Sequence, residues 1–85
     1  MRRWVSSPSY EAVVRIVVTA RTDAGLSQRE LAKRLGKPPS YVAKIELRER
    51  RLDVVEFIAL LRALGVSETE AFQELSQALS EKPDI

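Results

Sequence analysis

The chain contains no cysteine and no histidine. Disulfides and thiolate nucleophiles are therefore excluded, as are the usual zinc ligand sets, and a reducing cytoplasm suits it. Glycine is scarce, with three residues in all, and none sits in a phosphate-cradling loop. No apolar run approaches the roughly 18 residues of a membrane span. The N-terminus, MRRWVSSPS, lacks the long apolar stretch of a signal peptide. No carboxylate cluster stands beside a nucleophile, and so short a chain does not readily enclose a substrate pocket. These absences argue against an enzyme and against a metal or other cofactor.

What is present is a chain of 85 residues, 45% of them hydrophobic. That is enough for one domain with one small core. The net charge of +2 hides an asymmetry: residues 1–52 carry 12 Lys/Arg and 5 Asp/Glu, whereas residues 53–85 carry 2 and 7. A cationic half suits a polyanionic partner, although two ordinary solvated surfaces would show the same balance.

Local signals predict five short helices; the β-branched run from Val13 to Val18 could also read as a strand, but its length and continued helical spacing favour helix. Ser7 caps a first helix starting at Pro8 or Ser9 and running to about Asp23, with Val13, Val14, Val17, Val18, Ala20 and Ala24 at helical spacing. Gly25 ends it. Ser27 and Glu30 form a capping box for helix two, whose Leu31 and Leu35 face inward while Arg29, Lys33 and Arg34 face out. Gly36 supplies the sharp turn, and Pro39 opens helix three, which ends near Leu47 with Val42 and Ile45 as its inward pair. Asp53 caps helix four, with a buried stripe of Val54, Phe57, Ile58, Leu61 and Leu64. Ser67 and Glu70 box helix five, whose stripe includes Ala71, Phe72, Leu75, Ala78 and Leu79. The expected organisation is an arm over 1–8, one all-α five-helix domain over 9–80 and a tail over 81–85. Trp4 is either a packing anchor or an exposed aromatic of the arm.

Helices two and three, about 28–47, form a helix-turn-helix: Ala32 allows close crossing, Gly36 turns the chain, and Leu31, Val42 and Ile45 meet between the helices. The block LSQRELAKRLG, followed by SYVAKIE, RRLDVVEF and ALLRALGVS, resembles the Cro/phage-repressor (XRE) family of helix-turn-helix proteins over roughly residues 10–80. The resemblance implies a lambda-repressor-like fold that binds double-stranded DNA, usually as a homodimer on a palindromic operator in a bacterial or phage-infected cytoplasm. It also makes helix three the recognition helix.

Carried onto this sequence, the resemblance implies base contacts from Pro39, Ser40, Tyr41 and Lys44. It implies phosphate contacts from Ser27, Gln28 and Arg29 at the start of helix two, from Lys37 in the turn, and from Arg48, Arg50 and Arg51 in the basic loop. Arg21 and Glu46 take positions that the family often uses for an ion pair. Val66, Phe72, Leu75 and Leu79 are the implied dimer interface, although on their spacing alone the last three can equally complete the monomer core. Two departures stand out. Arg48 replaces the glycine that the family usually has after helix three, so either an arginine adopts positive φ or the helix runs a turn further. Pro38 and Pro39 remove two N–H groups from the face that would meet DNA. Two functions follow for test: a small transcription regulator, chiefly a repressor, or an antitoxin or adaptor that binds a protein partner through helix five.

Overall fold

Ser7 starts the first helix: its hydroxyl accepts the Tyr10 N–H at 3.2 Å, and Pro8 holds the first helical position. The computed structural model describes residues 3–85. Among them it shows a single 3-10 turn over Arg3–Ser6 and five helices, α1 (Pro8–Asp23), α2 (Gln28–Arg34), α3 (Ser40–Glu46), α4 (Val54–Ala63) and α5 (Glu68–Ala78), with no strand. The expected arm, 1–8, lies partly outside the described residues; within them, Trp4 stands edge-on to Tyr10 with ring centroids 5.1 Å apart.

Four helices stop in the same way. In each, the residue after the C-cap adopts positive φ and the final turn closes with paired backbone bonds. After α2 the Gly36 N–H donates to the Lys33 carbonyl at 3.0 Å and the Lys37 N–H to the Ala32 carbonyl at 2.9 Å. After α3 the same two bonds run from Arg48 to Ile45 and from Glu49 to Lys44, at 3.0 and 2.9 Å. Arg48 there has φ 61°, so the helix does not run on, and the left-handed backbone costs about 1 kcal/mol relative to glycine.

The core gathers Ile16 and Val17 of α1, Leu31 and Ala32 of α2, Val42 and Ile45 of α3, Leu52, then Phe57, Leu60 and Leu61 of α4 and Ala71 of α5. Helix α1 touches the 3-10 turn, α3, α4 and α5, and α2 packs on α3. Because neighbours surround α1, its buried arc is wider than the valine stripe predicts. Tyr10, Ala12 and Ile16 join Val14 and Val17, whereas Val13 and Val18 are half-buried and Ala24 is exposed. Helix α4 requires a similar correction. Its buried set is Phe57, Leu60 and Leu61, with Ile58 and Leu64 half-buried, and Val54 is exposed because it sits in the first turn, beyond the edge of the core.

Asp53 caps α4 as expected, whereas capping departs from expectation at α5 and at α3. Asp53 and Glu56 form a full reciprocal box at α4. At α5 only the Glu70 N–H to Ser67 hydroxyl bond is made, at 3.3 Å, and the neighbouring Glu68 pairs with Arg62 at 2.9 Å. Pro39 is the N-cap of α3 with helical backbone angles, so the helix proper begins at Ser40. Residues 81–85 turn back to the start of α1, where the Ser9 N–H donates to Asp84 Oδ1 at 3.1 Å and the Ser9 hydroxyl to the same oxygen.

Candidate nucleic-acid interface

The helix-turn-helix is held from beneath. Val42 and Ile45, on the inner face of α3, are completely buried against Leu31 and Ala32. Val42 and Ile45 each contribute roughly 1.5–3 kcal/mol by leaving water. Ala32 presents only a methyl group, so α2 and α3 can cross closely. With its inner face fixed, α3 cannot roll, and its remaining side chains are aimed by the core.

A polar lock closes the end of α3. Arg21, in the last turn of α1, donates through Nε to Glu46 Oε2 at 2.6 Å and through Nη2 to Glu46 Oε1 at 3.0 Å. Its third nitrogen, Nη1, donates to the Leu26 carbonyl at 2.8 Å. Glu46 also accepts from Gln28 Nε2 at 2.8 Å. The two charged side chains are only 14% and 9% exposed, so each depends on the other for its charge compensation. Gln28, implied as a phosphate contact, is therefore engaged in this lock.

The outer face of α3 is open. Pro39, Ser40 and Lys44 are exposed, and Ser40 and Lys44 make no side-chain hydrogen bond or ion pair among the described residues. Leu47 extends that face. It lies three positions after Lys44 and is 67% exposed, although from sequence it reads only as a helix end. The signal was available, since positions 40, 44 and 47 repeat at helical spacing. Tyr41 is placed differently from its neighbours. It is half-buried, packs against the core, and its hydroxyl donates to Glu56 Oε2 at 3.0 Å.

The cations implied as phosphate contacts divide into two groups. Arg29 and Lys37 are exposed, Lys37 with its ammonium 5.5 Å from the Tyr41 ring centre. Ser27 is exposed too, but its hydroxyl accepts the Glu30 N–H in the capping box of α2. Arg50 lies over the Tyr41 ring at 5.1 Å and pairs with Glu56, and Arg51 lies over Tyr10 and Trp4 at 5.7 and 5.8 Å. Arg48 points elsewhere. Its Nη1 donates to the Val5 carbonyl at 3.1 Å, and its Nη2 faces Glu11 at 3.7 Å. The basic loop thus brings Arg50 and Arg51 to the outside, while Arg48 fastens the loop to the N-terminal turn. Leu52 completes that fastening with its N–H donated to the buried Tyr10 hydroxyl at 3.0 Å.

The implied dimer residues are largely occupied within one chain. Val66 and Leu75 are half-buried against the core, and Leu79 is half-buried. Phe72 is 37% exposed and stands edge-on to Phe57, with centroids 5.6 Å apart. Among the described residues no helix is long and apolar enough to cross a membrane.

This arrangement is a helix pair with an inward apolar seam and a cationic rim. A helix-turn-helix family model, HTH_3, matches residues 19–70. The chain belongs to the XRE-type helix-turn-helix family. A solved XRE-family like protein from Pseudomonas syringae pv. tomato str. DC3000 is 42% identical, covers 81% of this chain and 84% of that one, and superposes with a TM-score of 0.77. The wild-type restriction-modification controller protein C.Esp1396I shares the fold at 23% identity, over 86% of this chain and 96% of that one, with a TM-score of 0.76. The clp gene regulator ClgR from C. glutamicum does so at 24% identity, over 87% and 96%, with a TM-score of 0.71. No curated protein matches the chain. As an XRE-type helix-turn-helix protein, it is a DNA-binding chain of the transcription-regulator kind.

Proposed function

We propose that this XRE-type protein is a sequence-specific repressor that acts as a homodimer on a palindromic operator. The observation that carries the reading is the exposed, unpartnered pair Ser40 and Lys44 on a helix whose opposite face is completely buried. A side chain on a rigid rod can discriminate bases, whereas one on a mobile loop chiefly supplies charge. Lys44 donates to guanine O6 or N7, and Ser40 bonds to any of several base edges. Leu47 and Pro39 offer apolar contact to a thymine methyl. Arg29, Lys37, Arg50 and Arg51 meet phosphates on either side and set the register.

Two further points support the regulator reading. Two solved neighbours of lower identity carry regulatory names, a restriction-modification controller and a clp gene regulator. Helix α5 exposes one large hydrophobic residue, Phe72, and no long apolar strip, which fits a small seam between two copies of this chain better than an extended adaptor surface. Phe72 with Leu75 and Leu79 is the seam we assign to the homodimer, which would read half-sites about one helical turn apart. With no histidine or cysteine in the chain, we read it as a cytoplasmic binding protein and not an enzyme.

Selection from random duplex DNA at several salt concentrations tests this. The expected product is a two-fold symmetric site bound at least ~1000-fold more tightly than scrambled duplex. Recovery of no enriched sequence, with binding that depends on salt alone, would contradict it.

A further inference from the structure

Glu56 lies outside every group of residues implied as a DNA contact, yet it joins three parts of the interface. It is the third residue of α4, and its carboxylate is fixed at both oxygens. Oε1 accepts the Asp53 N–H at 3.0 Å, while the Asp53 side chain accepts the Glu56 N–H at 2.7 Å. Oε2 accepts the Tyr41 hydroxyl at 3.0 Å and pairs with Arg50 Nη2. The Arg50 guanidinium also lies 5.1 Å over the Tyr41 ring. A helix cap, a residue of the recognition helix and an arginine of the basic loop therefore meet at one carboxylate.

We propose that Glu56 is a positioning residue of this interface: its carboxylate holds Tyr41 and Arg50 against each other, so that the guanidinium meets the DNA backbone at a fixed place beside α3.

Three observations favour positioning over simple charge pairing. The carboxylate engages Arg50 through Nη2, and the arginine side chain remains 46% exposed, so a phosphate can approach without breaking the pair. The charge on Glu56 is also met by the Asp53 N–H and the N-terminus of α4, so Arg50 is not its sole compensation. Finally, a guanidinium fixed by both a ring face and a carboxylate loses little freedom when it binds phosphate. The carboxyl is held below its usual range, first by the Asp53 N–H and then by Arg50 and Tyr41, so it is charged at neutral pH.

The proposal rests on the DNA-binding reading above, and its test separates the two. Glu56→Gln keeps the side-chain length and the capping box, because glutamine also serves at that helix position. The variant, Arg50→Ala and the double variant are titrated with the selected duplex and with random duplex at several salt concentrations. The expected result for Glu56→Gln is binding of the selected duplex about tenfold weaker, with a salt slope shallower by about 0.9, the value of one lost phosphate contact. In the Arg50→Ala background the same change should add nothing. Without DNA, the Tyr41 phenol, pushed up by burial and by its bond to Glu56, should ionise at lower pH in Glu56→Gln, read by ultraviolet absorbance. If that variant melts near the assay temperature, Tyr41→Phe supplies the second probe, with a smaller loss that also vanishes without Arg50. Tighter binding of every duplex by Glu56→Gln would overturn the proposal, because Glu56 would then compete with phosphate. So would an equal loss with and without Arg50. If the wild type prefers no sequence, the operator reading fails, and the salt slope on random duplex still decides the role of Glu56.

Discussion

Two arginine–glutamate pairs flank the recognition helix, and they differ in almost every respect. Arg21–Glu46 is nearly buried, joined by two bonds, and completed by Gln28 and the Leu26 carbonyl. Arg50–Glu56 lies at the rim, with the arginine 46% exposed and the ring of Tyr41 beneath it. Burial decides what each pair can do. An enclosed charge that loses its partner is left where water cannot compensate it, so the inner pair governs whether α1, α2 and α3 stay in register. An exposed pair is screened and contributes little to folding, so the outer pair is free to serve orientation and ligand binding.

The largest expected effect tests the inner pair. Arg21→Ala leaves Glu46 with Gln28 alone and should lower stability by about 3–5 kcal/mol in urea unfolding. A loss below ~1 kcal/mol would mean that the lock is as dispensable as a surface pair. Next, Lys44→Ala should cost ~1–3 kcal/mol on the selected duplex, confined to one base pair per half-site, with unchanged thermal unfolding. Arg50→Ala should follow. It should leave urea unfolding nearly unchanged, yet weaken selected and random duplex alike and flatten the salt slope by about one unit. The smallest effect concerns pH. Glu56 has its carboxyl depressed in the folded chain relative to 4.5. Its contribution is therefore complete above that value and is lost as pH falls through the folded value. Urea midpoints followed downward from about pH 6 should fall less steeply for Glu56→Gln than for the wild type.

Much of this architecture was legible because its signals are local. Ser7, Ser27 and Asp53 are caps that announce themselves within four residues, and Gly36 marks a turn that needs positive φ. The Leu31, Val42 and Ile45 seam follows from spacing. The pairing of Arg21 with Glu46, by contrast, came from the family resemblance, since nothing in 25 residues of separation predicts it.

What escaped depends on direction, which composition does not encode. Arg48, Arg50 and Arg51 are equivalent as charges, but Arg48 is turned by its positive φ toward Val5 and Glu11. Val54 and Leu60 are equally apolar, and only the edge of the core separates the exposed one from the buried one. Glu56 had a readable D-x-x-E signal as a cap. Its bonds to Tyr41 and Arg50, however, exist only once α3, the loop and α4 are folded together.

The proposed repressor must read bases with the outward face of α3, and a changed reader tests that most directly. Selection from random duplex should be repeated with Lys44→Gln, because glutamine pairs with adenine where lysine pairs with guanine. The predicted result is a site of unchanged symmetry and spacing in which one guanine per half-site is replaced by adenine. Recovery of the wild-type site from Lys44→Gln would contradict the account.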